Sequence, residues 1–314
     1  MSTAYLGPAG TFTEEALLSD PVCNPGGVEP LALPTIQEVL EAVQSGTVDH
    51  GFVAIENSIE GTVNVTLDTL VFGPPLLIQR EVLTPIRMNL IGFEGSGLRD
   101  LRQVVSFPHA LAQCRDWLAR ELPDVSVVAA NSTAEAAASV AREGDGAIAA
   151  IGTARAAGIN GLSVLAAGIE DHPDNSTRFV LVARDGIPPP TGHDKTSIVC
   201  FQRDDHPGSL HSILGQFTAR DINLTKLESR PTKRRMGDYC FVIDLEGHVD
   251  DEVIADCLRD LHAHLPELRF LGSYPAAGES GTARRRDAEQ SWKDADGWVR
   301  ELKAKVGRGF WQSY

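Results

Sequence analysis

The sequence predicts a mixed α/β chain in two parts: a larger α/β region with parallel strands and a smaller α+β block. Three observations predict it. Short apolar runs alternate with segments of helical spacing up to about residue 183. A break at 184–195 carries Pro188, Pro189 and Pro190 in succession between Gly186 and Gly192. After the break the elements follow the order strand, helix, strand, strand, helix, strand.

The elements of the first part can be taken in order. Ala4–Leu6 reads as a strand, followed by a Gly/Pro turn. Thr11 with Glu14 three residues on fits a capping box, so a helix starts there. Residues 51–55 read as a buried strand, and Val63, Leu67 and Leu70 share a helical face. Met88–Phe93 is a further strand. Leu111, Cys114, Trp117 and Leu118 are spaced for one helix. Residues 125–130 form a strand, and Ser132 with Glu135 makes a second capping box. Residues 146–150 and 179–182 complete the series. In folds of this kind ligands bind beyond the carboxyl ends of strands.

Residues 184–195 form a linker, stiffened by its prolines. Beyond it, 196–202 is a strand and Leu210, Ile213, Leu214 and Phe217 make an amphipathic helix. Residues 224–228 and 239–245 are strands joined by a basic turn at 232–238. Val253, Cys257, Leu258 and Leu261 mark a second helix, and 270–274 a last strand. This is the ferredoxin-like βαββαβ order. Residues 276–314 form a tail with Trp292, Trp298, Leu302 and Val306, expected to be partly helical and lightly packed.

Composition narrows the function. Of the residues, 42% are apolar and 23% charged, and the net charge is −15. That charge disfavours nucleic acid or an anionic membrane as the main partner. It allows a small anionic substrate where the site is locally positive. No apolar run reaches the roughly 18 residues of a membrane span, and no secretory signal is visible at the start. The five cysteines make no CxxC pair and read as free thiols of a reducing compartment, which makes a cytoplasmic location the expectation. His262 and His264 point apart on a helix and read as a solvated face, not a metal site. Gly95-Ser96-Gly97 lacks the third glycine of a dinucleotide site.

Several segments carry polar groups where such a fold binds ligands. The turn from Gly7 through Gly10 to Thr11 and Phe12 joins a strand to a capped helix. It is either an anion site or a turn that needs glycine. Glu56 and Asn57 end a buried strand, where they orient a ligand, or Asn57 or Ser58 caps the next helix. Ser106 precedes the helix of Trp117 and is expected to cap it, with Gln113 within reach of a ligand. Asn175-Ser176-Thr177-Arg178-Phe179 enters a strand, with a hydroxyl beside a guanidinium that can hold a carboxylate bidentately. In the second block, Gly208, Ser209 and Leu210 open a helix, and Asn223, Leu224, Leu227, Glu228, Ser229, Arg230 and Pro231 run along the next strand.

These segments together resemble prephenate dehydratases of the monofunctional bacterial type, over about residues 3–274. The motifs are GPAGTFTEEAL, VAIENSIEGTV, STAEAA and NSTRF, then PGSLHSIL and NLTKLESRP, in that order. The resemblance implies a two-lobed catalytic region over 1–183, similar to type 2 periplasmic binding proteins, with the active site between the lobes. Chain crossovers are expected near 78–84 and 155–165. It implies a linker at 184–195, an ACT regulatory domain at 196–275 and a tail at 276–314.

By the resemblance, the essential threonine of the family falls on Thr177. Its Glu–Asn pair falls on Glu56 and Asn57, and a serine and glutamine on Ser106 and Gln113. Arg178, Phe179, Gly10, Thr11 and Phe12 would bind prephenate, and no cofactor or metal is implied. Gly208, Ser209, Leu210, Asn223, Leu224, Leu227, Glu228, Ser229, Arg230 and Pro231 would bind phenylalanine as effector. Self-association to a homodimer or homotetramer is expected. Phe107 and His109 depart from the family's usual Ser-His-Pro-Gln, and Asn131 stands where some members carry glutamate. The alternatives are arogenate as substrate, or a non-catalytic amino-acid sensor of the same architecture.

Overall fold

The computed structural model describes residues 2–24, 28–202, 206–233, 235, 237–278 and 282–306. The chain divides into two compact units, Met1–Leu76 with Arg80–Asp185, and Leu77–Gln79 with Gly186–Tyr314.

The first unit holds two sheets, one in each lobe. The first lobe is built from β1 (Thr3–Leu6), α1 (Phe12–Ser19), β2 (Leu31–Leu33), α2 (Ile36–Ser45), β3 (His50–Asn57), β4 (Gly61–Thr62), α3 (Asn64–Phe72) and, from Arg80 on, β5 (Leu77–Pro85). The second lobe carries β6 (Asn89–Gly92), β7 (Gln103–Ser106), α4 (Pro108–Ala112), α5 (Arg115–Glu121), β8 (Ser126–Ala129), α6 (Thr133–Glu143), β9 (Ile148–Gly152), α7 (Ala154–Ile159) and β10 (Ser163–Ala167). The chain then returns to the first lobe as β11 (Ser176–Ala183).

The strand orders are β2-β1-β3-β11-β5, with β4 on β3, and β10-β6-β9-β7-β8. β1, β2 and β3 are parallel, as are β7, β8 and β9. The expected layer of parallel strands is therefore only partly realised: β11, β6 and β10 pair antiparallel. These are strands flanking the passages between lobes. β6 and β11 enter their sheets straight from these passages with no crossover helix before them, so nothing there forces a parallel direction.

The crossovers also differ from expectation. Residues 78–84 lie inside β5, and 155–165 form α7 and most of β10; the passages are 86–88 and 168–175. In β5 the run Gln79-Arg80-Glu81 breaks the apolar pattern that would have announced a strand.

Both expected N-caps form: Thr11 Oγ1 accepts from Glu14 N at 3.3 Å, and Ser132 Oγ from Glu135 N at 3.0 Å. The helix expected across Leu111–Leu118 breaks at Gln113 and Cys114 into α4 and α5.

The two lobes meet through Glu14. Its carboxylate does not close a capping box on Thr11. It accepts instead from Gly10 N at 2.7 Å, and from Arg155 Nε at 2.6 Å and Nη2 at 3.2 Å across the lobes. Thr153 Oγ1 donates to Gly10 O at 2.8 Å, and a Cβ on Gly10 would meet Ala156 Cα at 3.1 Å. With φ at +90° as well, glycine is required at position 10. Phe12 of the first lobe packs on the core of the second, against a cluster containing Leu90, Cys114 and Ile151.

The second unit contains β12 (Asp194–Phe201), α8 (Ser209–Thr218), β13 (Leu224–Pro231), β14 (Tyr239–Glu246), α9 (Glu252–His264), β15 (Glu267–Pro275) and α10 (Thr282–Lys305). Its antiparallel sheet has the order β13-β14-β12-β15. α8 and α9 cover one face through Ile213, Phe217, Cys257 and Leu261. β12 starts at Asp194, two residues before the strand expected at 196. Asp194, 1% exposed, turns the chain there by accepting from the backbone N–H groups of Thr191 and Gly192. The expected basic turn at 232–238 includes Arg234 and Met236, which lie outside the described residues, as do 279–281 and 307–314 of the tail. The rest of the tail forms α10, anchored where Trp292 packs on the core of this unit and where Arg300 faces Asp296 and Glu252.

All five cysteines are buried, and none forms a disulfide. Burial pushes Cys23, Cys114, Cys200 and Cys257 up to about 12, so these thiols stay protonated and unreactive at neutral pH. Among the described residues, no helix is long and apolar enough to cross a membrane.

Glu14 sets an acid limit to stability. Burial pushes its carboxyl up, but Arg155, Gly10 N–H and Tyr5 outweigh burial and hold it below the ordinary glutamate range. A depressed folded pKa contributes stability above the unfolded value of about 4.3, lost as pH falls through the folded one. Glu14→Gln should lower unfolding free energy at pH 7 by about 2 kcal/mol and flatten its decline below pH ~4. Urea titrations across pH check this; an unchanged acid limb would remove Glu14 as its source.

Candidate active site

The site starts from a fault in one strand pair. β11 runs antiparallel to β3 with Thr177 opposite Asn57 and Arg178 opposite Glu56, but Phe179 is opposite Ala54. Ile55 is the extra residue of a β-bulge. The backbone groups it displaces find partners at the start of α3: Val63 N donates to Ile55 O at 2.9 Å, and Thr66 Oγ1 to Ala54 O at 2.6 Å. Strict alternation would put Glu56 on the face of Ala54 and turn Asn57 away. The bulge reverses this. Ala54, Asn57, Thr177 and Phe179 all line the cleft between the lobes, while Glu56 and Arg178 face the other way.

Thr177 is 8% exposed and closely held. Asn57 Nδ2 donates to its Oγ1 at 2.8 Å, and to Asn175 Oδ1 at 2.9 Å. Asn57 Oδ1 accepts from Ile59 N at 2.9 Å and Glu60 N at 3.0 Å, so its amide orientation is set by backbone donors. Phe179 stacks on Phe52 with centroids 5.3 Å apart, which fixes the strand beside Thr177.

The cleft encloses about 1050 Å³. The first turns of α1 (Thr11, Phe12, Thr13) and α6 (Thr133, after the Ser132 cap) open onto it from opposite lobes. First-turn N–H groups have no intrahelical acceptor and carry the positive end of the helix dipole. Among the described lining residues there is no lysine or arginine; the titratable ones are Glu60, Glu135 and His109. His109 stacks on Phe107, and its Nδ1 lies 3.2 Å from Glu60 Oε2 across the lobes. Gln113 Nε2 reaches Glu60 Oε1 at 3.4 Å.

The structure brings together Asn57, Gln113, Thr11, Phe12, Thr177 and Phe179 of the expected set. It separates the rest. Ser106 is fully buried, donates to Ile151 O at 2.7 Å and does not line the cleft. Nor does it cap α4, whose N-cap Phe107 has no side-chain bond. Gly10 directs its N–H to Glu14, not to a ligand. Arg178 donates Nε to Glu81 Oε2 at 2.7 Å and lies 3.5 Å from Glu56 Oε2, with 11% of its side chain exposed. Those carboxylates occupy the fork expected to hold a ligand. The sequence reading missed Asn175, Glu60, Ser132 and Thr133 as cleft residues. The Ser132 capping box after a strand was the same signal that marked Thr11.

In the second unit, Gly208 is the N-cap of α8 with φ at +89°, and a Cβ there would meet nothing within 4 Å. β13 is an edge strand whose expected residues divide between two faces. Leu227 and Ser229 lie opposite the core residues Ile243 and Phe241, on the helix-covered side with Leu210. Glu228 and Arg230 lie on the other side, 2.8 Å apart, with Lys226 3.4 Å from Glu228. Asn223 O accepts from Glu246 N at 3.0 Å.

Residues 3–187 match the family description "Prephenate dehydratase", and residues 196–263 match the ACT domain. The chain belongs to the prephenate dehydratase family. A prephenate dehydratase of Mycolicibacterium smegmatis is 42% identical over 97% of this chain and 98% of its own length. The crystal structure of a prephenate dehydratase from Arthrobacter aurescens, described in complex with L-Phe, is similar with a TM-score of 0.86 and 40% identity. It covers 97% of this chain and all of that one. GqqA, described as a novel type of quorum quenching acylase, is similar with a TM-score of 0.78 and 29% identity, over 88% of this chain and 98% of its own.

The Arg178 cluster makes its own prediction. Removing one partner of a buried pair leaves the other charge exposed to the apolar interior. Arg178→Ala should cost about 3 kcal/mol of unfolding free energy, measurable by urea denaturation. A loss under 1 kcal/mol would argue that the cluster is not structurally important.

Proposed function

We propose that this chain is a carbon–oxygen lyase that converts prephenate to phenylpyruvate, carbon dioxide and water, with its second block binding phenylalanine as regulator. The observation that carries the reading is the Asn57–Thr177 bond at the wall of the cleft, in a chain of this family.

Asn57 donates to Thr177 Oγ1, so the threonine's own proton is left for another acceptor. In prephenate that acceptor is the ring hydroxyl para to the quaternary carbon. The bond to the ring carboxylate breaks and releases carbon dioxide. Its electron pair moves through the ring as the carbon–oxygen bond breaks, and the departing oxygen leaves as water once protonated. Aromatisation supplies the driving force. A threonine hydroxyl is far too weak an acid to ionise at neutral pH, so Thr177 acts as an oriented donor to the departing oxygen. Gln113 faces the same cleft and positions the substrate there.

The two carboxylates of prephenate are held by the first turns of α1 and α6, with His109 as the basic side chain of the lining. Phe179 and Phe12 supply apolar walls for the ring. A hydrolytic use of Thr177 is disfavoured. Asn57 is a donor to it and cannot take its proton, so the general base an activated nucleophile needs is not beside it.

Thr177→Ala should lower kcat about 10²–10⁴-fold, and Thr177→Ser should retain more. Phenylpyruvate formation from prephenate, with arogenate as competitor, measures both. A folded Ala variant at wild-type kcat would overturn the assignment. For regulation, the ACT match and the phenylalanine-bound relative support a ligand site at Gly208, Ser209 and Leu210 facing β13. Gly208→Val adds bulk at a left-handed N-cap. It should weaken the response of full-length enzyme to phenylalanine by roughly tenfold or more in midpoint, within typical coupling energies. An unshifted midpoint would move the effector site elsewhere.

A further inference from the structure

Asn175 is 1% exposed and ends the passage by which the chain returns from the second lobe to the first. Its amide is used in two directions. Oδ1 accepts from Asn57 Nδ2 at 2.9 Å and Ser58 Oγ at 3.4 Å, both in the first lobe. Nδ2 donates to Gln113 Oε1 at 3.0 Å, in the second. Gln113 then donates Nε2 to Glu60 Oε1 at 3.4 Å, back in the first lobe.

These amides run head to tail, and the direction is determined. Asn57 Oδ1 is engaged by the N–H groups of Ile59 and Glu60, so its Nδ2 must face Thr177 and Asn175. Asn175 must therefore turn its oxygen to Asn57 and its nitrogen to an acceptor. Gln113 Oε1 is that acceptor. A flipped Asn175 would set one amide nitrogen against another, with no acceptor between them.

We propose that Asn175 is a positioning residue for Thr177, acting through Asn57, and that its bond to Gln113 ties this orientation to the approach of the two lobes. The proposal rests on the dehydratase reading of the same cleft. When the lobes separate, Asn175 Nδ2 loses its partner and the amide is free to turn; Asn57 Nδ2 then faces a second amide nitrogen in place of an acceptor. When they close, Gln113 restores the order and Thr177 Oγ1 accepts from Asn57, which directs the threonine proton into the cleft. The chemistry is thus favoured when substrate is enclosed.

The test is steady-state kinetics on full-length protein with prephenate. Asn175→Leu removes both bonds at similar size and should lower kcat about 10²-fold, as misorientation of a reacting group does, with KM within about threefold. Asn175→Asp keeps an acceptor for Asn57 and lets Gln113 turn its Nε2 toward it, so its kcat should lie between the two. A merely structural residue would not give this order at constant KM. In the double variant Gln113→Leu with Asn175→Leu, the kcat loss should be smaller than the product of the single losses, because both break one chain.

A folded Asn175→Leu protein with wild-type kcat, or with a defect in KM alone, overturns the positioning role. A double-variant loss equal to that product overturns the link between lobes. Should the Leu variant not fold by circular dichroism, the Asp variant decides: reduced kcat at constant KM supports the role, and unchanged kcat removes it. Wild-type protein that fails to turn over prephenate would defeat the dehydratase reading itself, a separate result.

Discussion

The extra residue at Ile55 is the constraint from which the site follows. A strand exposes alternate side chains to alternate faces, and one inserted residue exchanges the faces beyond it. Here the exchange sets Asn57 beside Thr177 in the cleft and sends Glu56 to Arg178 behind it. The distortion is stable because Val63 N and Thr66 Oγ1 satisfy the carbonyls of Ile55 and Ala54. The turn after β3 then supplies the two backbone donors that hold the Asn57 amide in one orientation. A regular β3 would present the Glu56 carboxylate to the cleft beside Thr177 instead of the Asn57 amide.

Charge in the first unit serves architecture more than ligand contact. Arg155 joins the lobes through Glu14, and Arg178 ties β11 to Glu81 and Glu56. Both pairs include a carboxylate that is almost wholly buried, where an unpaired charge would be costly. The cleft itself offers positive potential chiefly through backbone groups at the starts of α1 and α6. These are held by the fold and lose no side-chain freedom on contact with a ligand.

Much of this was legible in the residues. The βαββαβ order of the second unit could be read because Leu210, Ile213, Leu214 and Phe217 keep helical spacing and the flanking strands are apolar. The Thr11 and Ser132 caps could be read because capping is local chemistry. β5 could not, since its apolar pattern is interrupted by Arg80 and Glu81, whose partners Asp20 and Arg178 are distant in sequence. Arg178 beside Thr177 suggests a ligand fork until alternation along β11 sends it to the opposite face. Ser106 suggests a cap until its hydroxyl is found bonded to Ile151 O. Asn175 was unremarkable because its meaning lies in two partners 118 and 62 residues away. The tail was expected to be loose because its apolar residues form no stripe; Trp292 nevertheless seats it on the core.

The absence of lysine and arginine from the described lining of the cleft has a consequence for how a dianion arrives. A body of net charge −15 repels it at long range, whereas helix termini attract it only over a few ångströms. Dissolved salt screens the first interaction over about 10 Å at 0.1 M and reaches little of the second once solvent is excluded. Added salt should therefore speed encounter without loosening the complex in proportion, the reverse of an enzyme that draws its substrate in along a positive funnel.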